Sequence, residues 1–352
     1  MSSDMFEIMF RVAVFVFGII LYYAGYGIAS VCLIPLMVFF LFQKKSSKFN
    51  PQGRAIFITG CDCGFGYQLA KRLDEKGFTV FAACLLPEEK GANNLVSECS
   101  SRLKVLKVDV TRDEDVAEAK KMVESNLPEK GLWGVVNNAG ISNWAETEWS
   151  TIQDYQAISD VNLFGSIRTT LAFIPLIQAS KGRMAFMSSI SGIISFPGTG
   201  IYSITKKAIE AFADCLRTEM ACYDVKVCII EPGNFAGATN IQREKTADEI
   251  WNKFDDEQKK RLNREIVELI NHKVNKQLKN GSKNSDLVID AIVDALTSPS
   301  PKARYLVANV YEKIAVCLFT HSPTFITDAL IMWSEVYQKK RSLLLARTGN
   351  LK

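Results

Sequence analysis

The chain has 352 residues and carries 42 Lys and Arg against 38 Asp and Glu, a net charge of +4. Forty-eight per cent of its residues are apolar, enough to core one large α/β domain with an appendage, or two small domains. The near balance of charge, with no Lys/Arg stripe interleaved with aromatics, sets a nucleic-acid partner aside.

No charged residue occurs from Val12 to Phe42, a run of 31. A helix crosses the hydrocarbon core with roughly 20 residues, so this run predicts an N-terminal membrane anchor within residues 1–48. Gly18, Gly25, Gly27 and Pro35 leave a bent hairpin open beside one straight span. Lys44, Lys45 and Lys48 follow directly, and the basic flank of a span faces the cytosol.

After residue 50 an alternation begins. Apolar runs predict strands at 55–59, 78–83, 103–108 and 132–137, with helices over 65–76, 88–99 and 113–126 between them. One long helix is expected over 152–179, then a strand at 183–187, a helix over 201–221 and a strand at 225–230. Strands separated by helices of this length imply parallel crossovers, so the fold class is α/β, a doubly wound parallel sheet of the Rossmann kind.

The stretch 240–285 breaks the rhythm. It is rich in charge, yet Leu262, Ile266, Leu269, Ile270, Val274 and Leu278 recur at helical spacing. It reads as a helical insertion, either a solvated amphipathic helix or a lid over a pocket. A helix at 287–296 and a strand at 304–308 close the domain near residue 310. Residues 311–352 form an apolar tail that packs on the domain or lies on a bilayer surface.

The first strand runs into Thr59-Gly60-Cys61-Asp62-Cys63-Gly64-Phe65-Gly66. Glycines between a strand and a helix let a pyrophosphate reach the backbone N–H groups of the helix N-terminus. The fourth strand ends in Asn137-Asn138-Ala139-Gly140, and Asn162 sits in the long helix. Ser189 ends the fifth strand. Tyr202 follows thirteen residues later and Lys206 four after that, so phenol and ammonium share a helix face.

Other chemistries fit poorly. Two histidines, His272 and His321, are scarce material for a Ser-His-Asp hydrolase. Nine cysteines, an odd number with no zinc spacing, read as reduced thiols, and no metal site is expected.

Together these motifs make the chain similar to a classical short-chain dehydrogenase/reductase over about residues 55–310. TGCDCGFG, NNAG, the helix asparagine, Ser189 with Y-x3-K, and Pro232-Gly233 occur in the family's order. Within it, GLWGVVNNAGIS, YSITK and EPGNF resemble the branch of D-3-hydroxybutyrate dehydrogenase, retinol dehydrogenases and oxidative 11-beta- and 17-beta-hydroxysteroid dehydrogenases.

The resemblance implies roles. Tyr202 is the general base for alcohol oxidation and the acid for ketone reduction. Lys206 favours the phenolate and holds the nicotinamide ribose. Ser189 donates to the substrate oxygen, and Asn162 holds a water that links Lys206 to solvent. Gly60, Gly64 and Gly66 cradle the pyrophosphate, Asp109 approaches the adenine, Asn137 and Gly140 line the nucleotide edge, and Thr59, Phe65 and Ala139 belong to the cofactor site. Thr239 binds the carboxamide or a phosphate, and Pro232 and Gly233 belong to the cofactor site. A homodimer is implied by the family alone.

An acid ending the second strand would grip the ribose hydroxyls, but that position falls near Cys84-Leu85. No Lys or Arg lies between Gly77 and Glu89 to hold a 2′-phosphate either. NAD is therefore expected, with NADP the alternative. ISGIISFPGTGI, between Ser189 and Tyr202, offers no cation for a hydroxy acid, so a lipophilic steroid- or retinoid-like alcohol or ketone is the expected substrate. 3-Hydroxybutyrate, and a nucleotide-binding module without turnover, are the alternatives. The expected location is a membrane, of the endoplasmic reticulum or alternatively of mitochondria, with the domain cytosolic.

Overall fold

The computed structural model describes Tyr23 and residues 49–349. The run 12–42, read above as an anchor, lies outside these residues apart from Tyr23. Among the described residues no helix is long and apolar enough to cross a membrane. The chain divides into two units, Met1–Phe49 and Asn50–Lys352, and the second carries every feature below.

Seven parallel strands form one sheet. In chain order they are β1 (Ala55–Thr59), β2 (Thr79–Cys84), β3 (Leu103–Lys107), β4 (Leu132–Asn137), β5 (Arg183–Met187), β6 (Lys226–Pro232) and β7 (Arg304–Val307). Their spatial order is β3-β2-β1-β4-β5-β6-β7. The order reverses between β1 and β4, and in such sheets ligands bind beyond the strand carboxyl ends at that point. β1 and β4 read as apolar runs because helices cover both faces, and every residue of each is buried.

The flanking helices are α1 (Gly64–Glu75), α2 (Lys90–Glu98), α3 (Asp113–Ser125), α4 (Ile152–Ser159), α5 (Ser166–Ser180), α6 (Ile190–Ile193), α7 (Gly200–Glu219) and α11 (Asp286–Thr297). α5 sets Phe173 on Phe57 of β1, ring centres 4.5 Å apart, in the middle of the core. This packing holds β1 and β4 rigid, and their ends carry the site.

Three stretches differ from the sequence expectation. The helix expected over 152–179 is two helices joined by a π-helical turn, Asp160–Gly165. Asn162 sits there, and its amide bonds both the N–H and the C=O of Ile141 (2.8 and 2.9 Å). Holding that loop requires a wider turn than an α-helix gives, and such turns gather at functional sites.

The insertion 240–285 is three helices, α8 (Ala247–Trp251), α9 (Asp256–Arg261) and α10 (Arg264–Lys279). Capping boxes at Thr246/Glu249 and Asp255/Gln258 start the first two. Phe254, Leu262, Ile266, Val267 and Ile270 build a small core against Trp149.

The tail forms α12 (Val310–His321), α13 (Thr324–Met332) and α14 (Glu335–Gly349). A capping box, Asn309/Glu312, starts α12. Large apolar side chains stay exposed along it, among them Tyr311, Ile314, Phe325 and Trp333.

Candidate active site

A cleft of about 750 Å³ opens above the carboxyl ends of β1, β4, β5 and β6. Its nucleotide half is built of glycines for steric reasons. Gly60 has φ +70°, and a Cβ there would lie 2.8 Å from the Cα of Ala139. At Gly66 a Cβ would lie 2.2 Å from the Gly60 carbonyl oxygen. The first turn of α1 therefore sits hard against the loop, with its free N–H groups toward the cleft. This bare cradle fits a dinucleotide pyrophosphate, with Gly60, Gly64 and Phe65 lining it and Thr239 facing Gly64.

Not every expected residue reaches the cleft. Gly60, Gly64, Phe65, Asp109, Ala139, Gly140, Pro232, Gly233 and Thr239 line it. Thr59 does not. It is buried, and its hydroxyl accepts from the N–H groups of Asn138 and Ala139 (3.0 Å each), pinning β1 to the loop after β4. Asn137 is also buried, its amide donating to Thr170 (3.1 Å). The lining asparagine is its neighbour Asn138, whose amide holds the carbonyls of Thr59 and Gly60. Asp109 folds onto Thr111, accepting from its N–H and hydroxyl (2.9 and 2.7 Å).

Three of the four candidate catalytic groups, Ser189, Tyr202 and Lys206, line the cleft together, while Asn162 is buried beside Gly140. Ser189 caps α6, accepting from the N–H of Ser191 (3.2 Å) and donating to the Pro232 carbonyl (3.4 Å), and its hydroxyl is near enough to the Tyr202 phenol to lower its pKa. Lys206, one turn along α7, places Nζ 5.4 Å from the Tyr202 ring centre and donates to the Met187 carbonyl (2.6 Å). Gly140 lies beside both the Lys206 ammonium and the side-chain amide oxygen of Asn162. A Cβ on Gly140 would lie 3.7 and 3.3 Å from them.

Burial pushes the Tyr202 phenol up to about 12, against the pull of its Ser189 hydrogen bond. Burial draws the Lys206 ammonium down to about 8, opposed by the Glu210 carboxylate. A phenol, a hydroxyl and a buried amine around one point can move a proton to or from an alcohol oxygen.

Residues 54–250 match the family described as short chain dehydrogenase. The chain belongs to that family. It is 40% identical over 286 residues to mitochondrial D-beta-hydroxybutyrate dehydrogenase of Mus musculus, covering 79% of this chain and 83% of that protein. It is 38% identical over 313 residues to retinol dehydrogenase 7 of the same organism, covering 88% and 97%. Its fold is similar to a crystal structure of a short-chain dehydrogenase from Streptomyces avermitilis, with TM-score 0.63, 22% identity, and 82% and 99% coverage.

As a short-chain dehydrogenase the protein is an oxidoreductase of alcohol groups. The sequence motifs omit several residues that line this dehydrogenase's cleft. Asp62, inside the glycine turn, accepts from the N–H groups of Leu85 and Leu86 (3.0 and 2.8 Å). A carboxylate thus stands at the end of β2, supplied by the neighbouring loop. Val274, Gln277 and Leu278 of α10 line the substrate half. α12 also belongs to the wall: Glu312 lines it and accepts from Asn234 N–H (2.7 Å), and Phe319 meets Phe196 edge-on at 5.3 Å.

Proposed function

We propose that the chain is a membrane-anchored, NAD-dependent dehydrogenase of a neutral, lipophilic secondary or allylic alcohol, such as a steroid or retinoid. The carrying observation is the charge on the cleft wall. Asp62, Glu89, Asp109 and Glu312 line it, and among the described lining residues Lys206 is the single cation. Lys206 is committed to Tyr202, so a substrate carboxylate would meet acids and no free cation. The uncharged run 12–42 supplies the anchor in this reading.

A nicotinamide dinucleotide held by Gly60, Gly64, Phe65 and Thr239 would supply the hydride chemistry. Tyr202 takes the alcohol proton on oxidation and returns it on reduction. Ser189 donates to the substrate oxygen as negative charge develops there. Lys206 favours the phenolate by its charge and holds the ribose, while Asn162 orders the loop at Gly140 and a water leading outward.

A second reading has one observation behind it. Lys245, from the insertion, donates to the Asn143 side chain (2.6 Å), and Asn143 lines the cleft. Reached through Asn143, that cation would suit 3-hydroxybutyrate, the substrate in the name of the mouse relative. Membrane fractions of the full chain, offered NAD with all-trans-retinol, a steroid alcohol or D-3-hydroxybutyrate, separate the two. NADH formation is expected with a retinol or steroid. Turnover confined to the hydroxy acid would overturn the first reading.

The cofactor choice rests on Asp62. Its carboxylate occupies the corner where the adenosine ribose lies in this fold, and would repel a 2′-phosphate. Asp62→Ser is expected to lower the ratio of kcat/KM with NAD to that with NADP by about tenfold or more. A parent that prefers NADP would contradict the assignment.

A further inference from the structure

Behind the catalytic group lies an ionic cluster, buried at Glu210 and Glu231 and open to solvent at Arg304 and Asp214. Arg304 of β7 donates from Nη1 to Glu210 (2.7 Å) and Glu231 (2.5 Å), and from Nη2 to Asp214 (2.6 Å). Glu231 stands on β6, while Glu210 and Asp214 stand on α7, the helix of Tyr202 and Lys206. Glu210 and Glu231 are 7% and 3% exposed. Two neighbouring carboxylates, Glu210 and Glu231, are costly to bury, and the half-exposed Arg304 guanidinium is the cation that offsets them.

The second oxygen of Glu210 faces the chemistry. It accepts from the Ser188 hydroxyl (2.6 Å), and Ser188 precedes Ser189. The N–H of Ser188 is in turn tied to Ile230 of β6 (2.8 Å). Gly192, in the turn after Ser189, closes on the same carboxylate: a Cβ there would lie 2.3 Å from Glu210 Oε1. Glu210 thus touches the segment bearing Ser189, stands four residues beyond Lys206, and is rooted by Arg304 on the outer strands.

We propose that Glu210, held by Arg304, is a positioning residue that locks α7 against the end of β5, keeping the Tyr202 phenol within reach of the Ser189 hydroxyl. The inference rests on the catalytic reading of Ser189, Tyr202 and Lys206. The charged groups facing Glu210 are Arg304 from β7, Glu231 from β6, and Asp214 and Lys206 from α7; Ser188, at the end of β5, is neutral. Its charge also keeps Lys206 protonated to higher pH than burial alone would allow. A residue that only stabilised the fold would leave the pH profile unmoved.

Glu210→Gln, made in the full chain, tests this. Turnover is followed as NADH formation with whichever of retinol, a steroid alcohol or 3-hydroxybutyrate the parent oxidises. NADH binding by fluorescence and the far-ultraviolet spectrum report the fold. The expected result is a kcat about ten- to a hundredfold lower with KM and NADH binding within about threefold, and an alkaline limb of kcat moved about half a unit or more to lower pH. Arg304→Lys should keep more of kcat than Arg304→Met. An unchanged kcat and limb in a folded Glu210→Gln overturns the proposal.

Should Glu210→Gln fail to fold, Ser188→Ala decides, since it removes the short bond to Glu210 (2.6 Å) and otherwise only a long contact to the Lys206 carbonyl (3.4 Å). A kcat lower by about fivefold or more is expected, and an unchanged kcat overturns the proposal. Tyr202→Phe separates this from failure of the catalytic reading. If Tyr202→Phe turns over like the parent, that reading falls. If it is inactive while Glu210→Gln matches the parent, only the role of Glu210 falls.

Discussion

Replacing Tyr202 by Phe should lower kcat/KM by about 10²- to 10⁴-fold while leaving NADH binding within about twofold. The ring stays and only the phenol oxygen is removed, so packing on α7 is preserved. Without it, no group beside Ser189 and Lys206 can carry the alcohol proton away. The pH dependence should follow the same group. The phenol sits near 12 in the free cleft, so it is protonated at neutral pH. Oxidation needs the deprotonated form and should speed up as pH rises, until Lys206, drawn down to about 8, loses its charge and sets the alkaline limb. Reduction needs the protonated form and should be favoured near neutrality. Equal NAD reduction by variant and parent would remove Tyr202 from the chemistry and revive the reading of a binding module without turnover.

Gly66→Ala should weaken NADH binding by at least about tenfold and lower stability by about 1–3 kcal/mol. The added Cβ would lie 2.2 Å from the Gly60 carbonyl oxygen and 2.6 Å from the Asn138 amide nitrogen. Both neighbours are fixed. Gly60 is held at a positive φ against Ala139, and Asn138 is bonded to the carbonyls of Thr59 and Gly60. The start of α1 must then move away from the loop, and its N–H groups leave the pyrophosphate position. Titration of NADH fluorescence and urea unfolding check the two halves. Unchanged binding would mean the cradle is not where the dinucleotide lies.

The strands were readable because a parallel strand covered on both faces is an apolar run, and β1, β4 and β5 carry a polar residue only at one end, Thr59, Asn137 and Arg183. The grouping of Ser189, Tyr202 and Lys206 was readable through the i to i+4 geometry of one helix and the strand end beside it. What escaped depends on register or on distance along the chain. Whether Asn137 or Asn138 faces the cleft turns on where β4 stops, which composition does not fix. A single π-helical turn at Asn162 leaves too short a trace in hydrophobic spacing to read. Asp62 reaches Leu85 and Leu86 across 23 and 24 residues, so the acid missing from the end of β2 had no local signal. The caps of α8 and α9 did have one, in Thr246-x-x-Glu249 and Asp255-x-x-Gln258, hidden by the charge around them.

Helix α12 bears on both rims of the opening. Glu312 grips the backbone at Asn234 on one side, and Phe319 leans on Phe196 on the other. A polypeptide terminated just before Asn309 would keep every residue that handles the proton and every glycine of the cradle. It should still bind nucleotide, yet let solvent into the chamber where the alcohol is oxidised, becoming a receptor for the coenzyme that has lost its grip on the reaction.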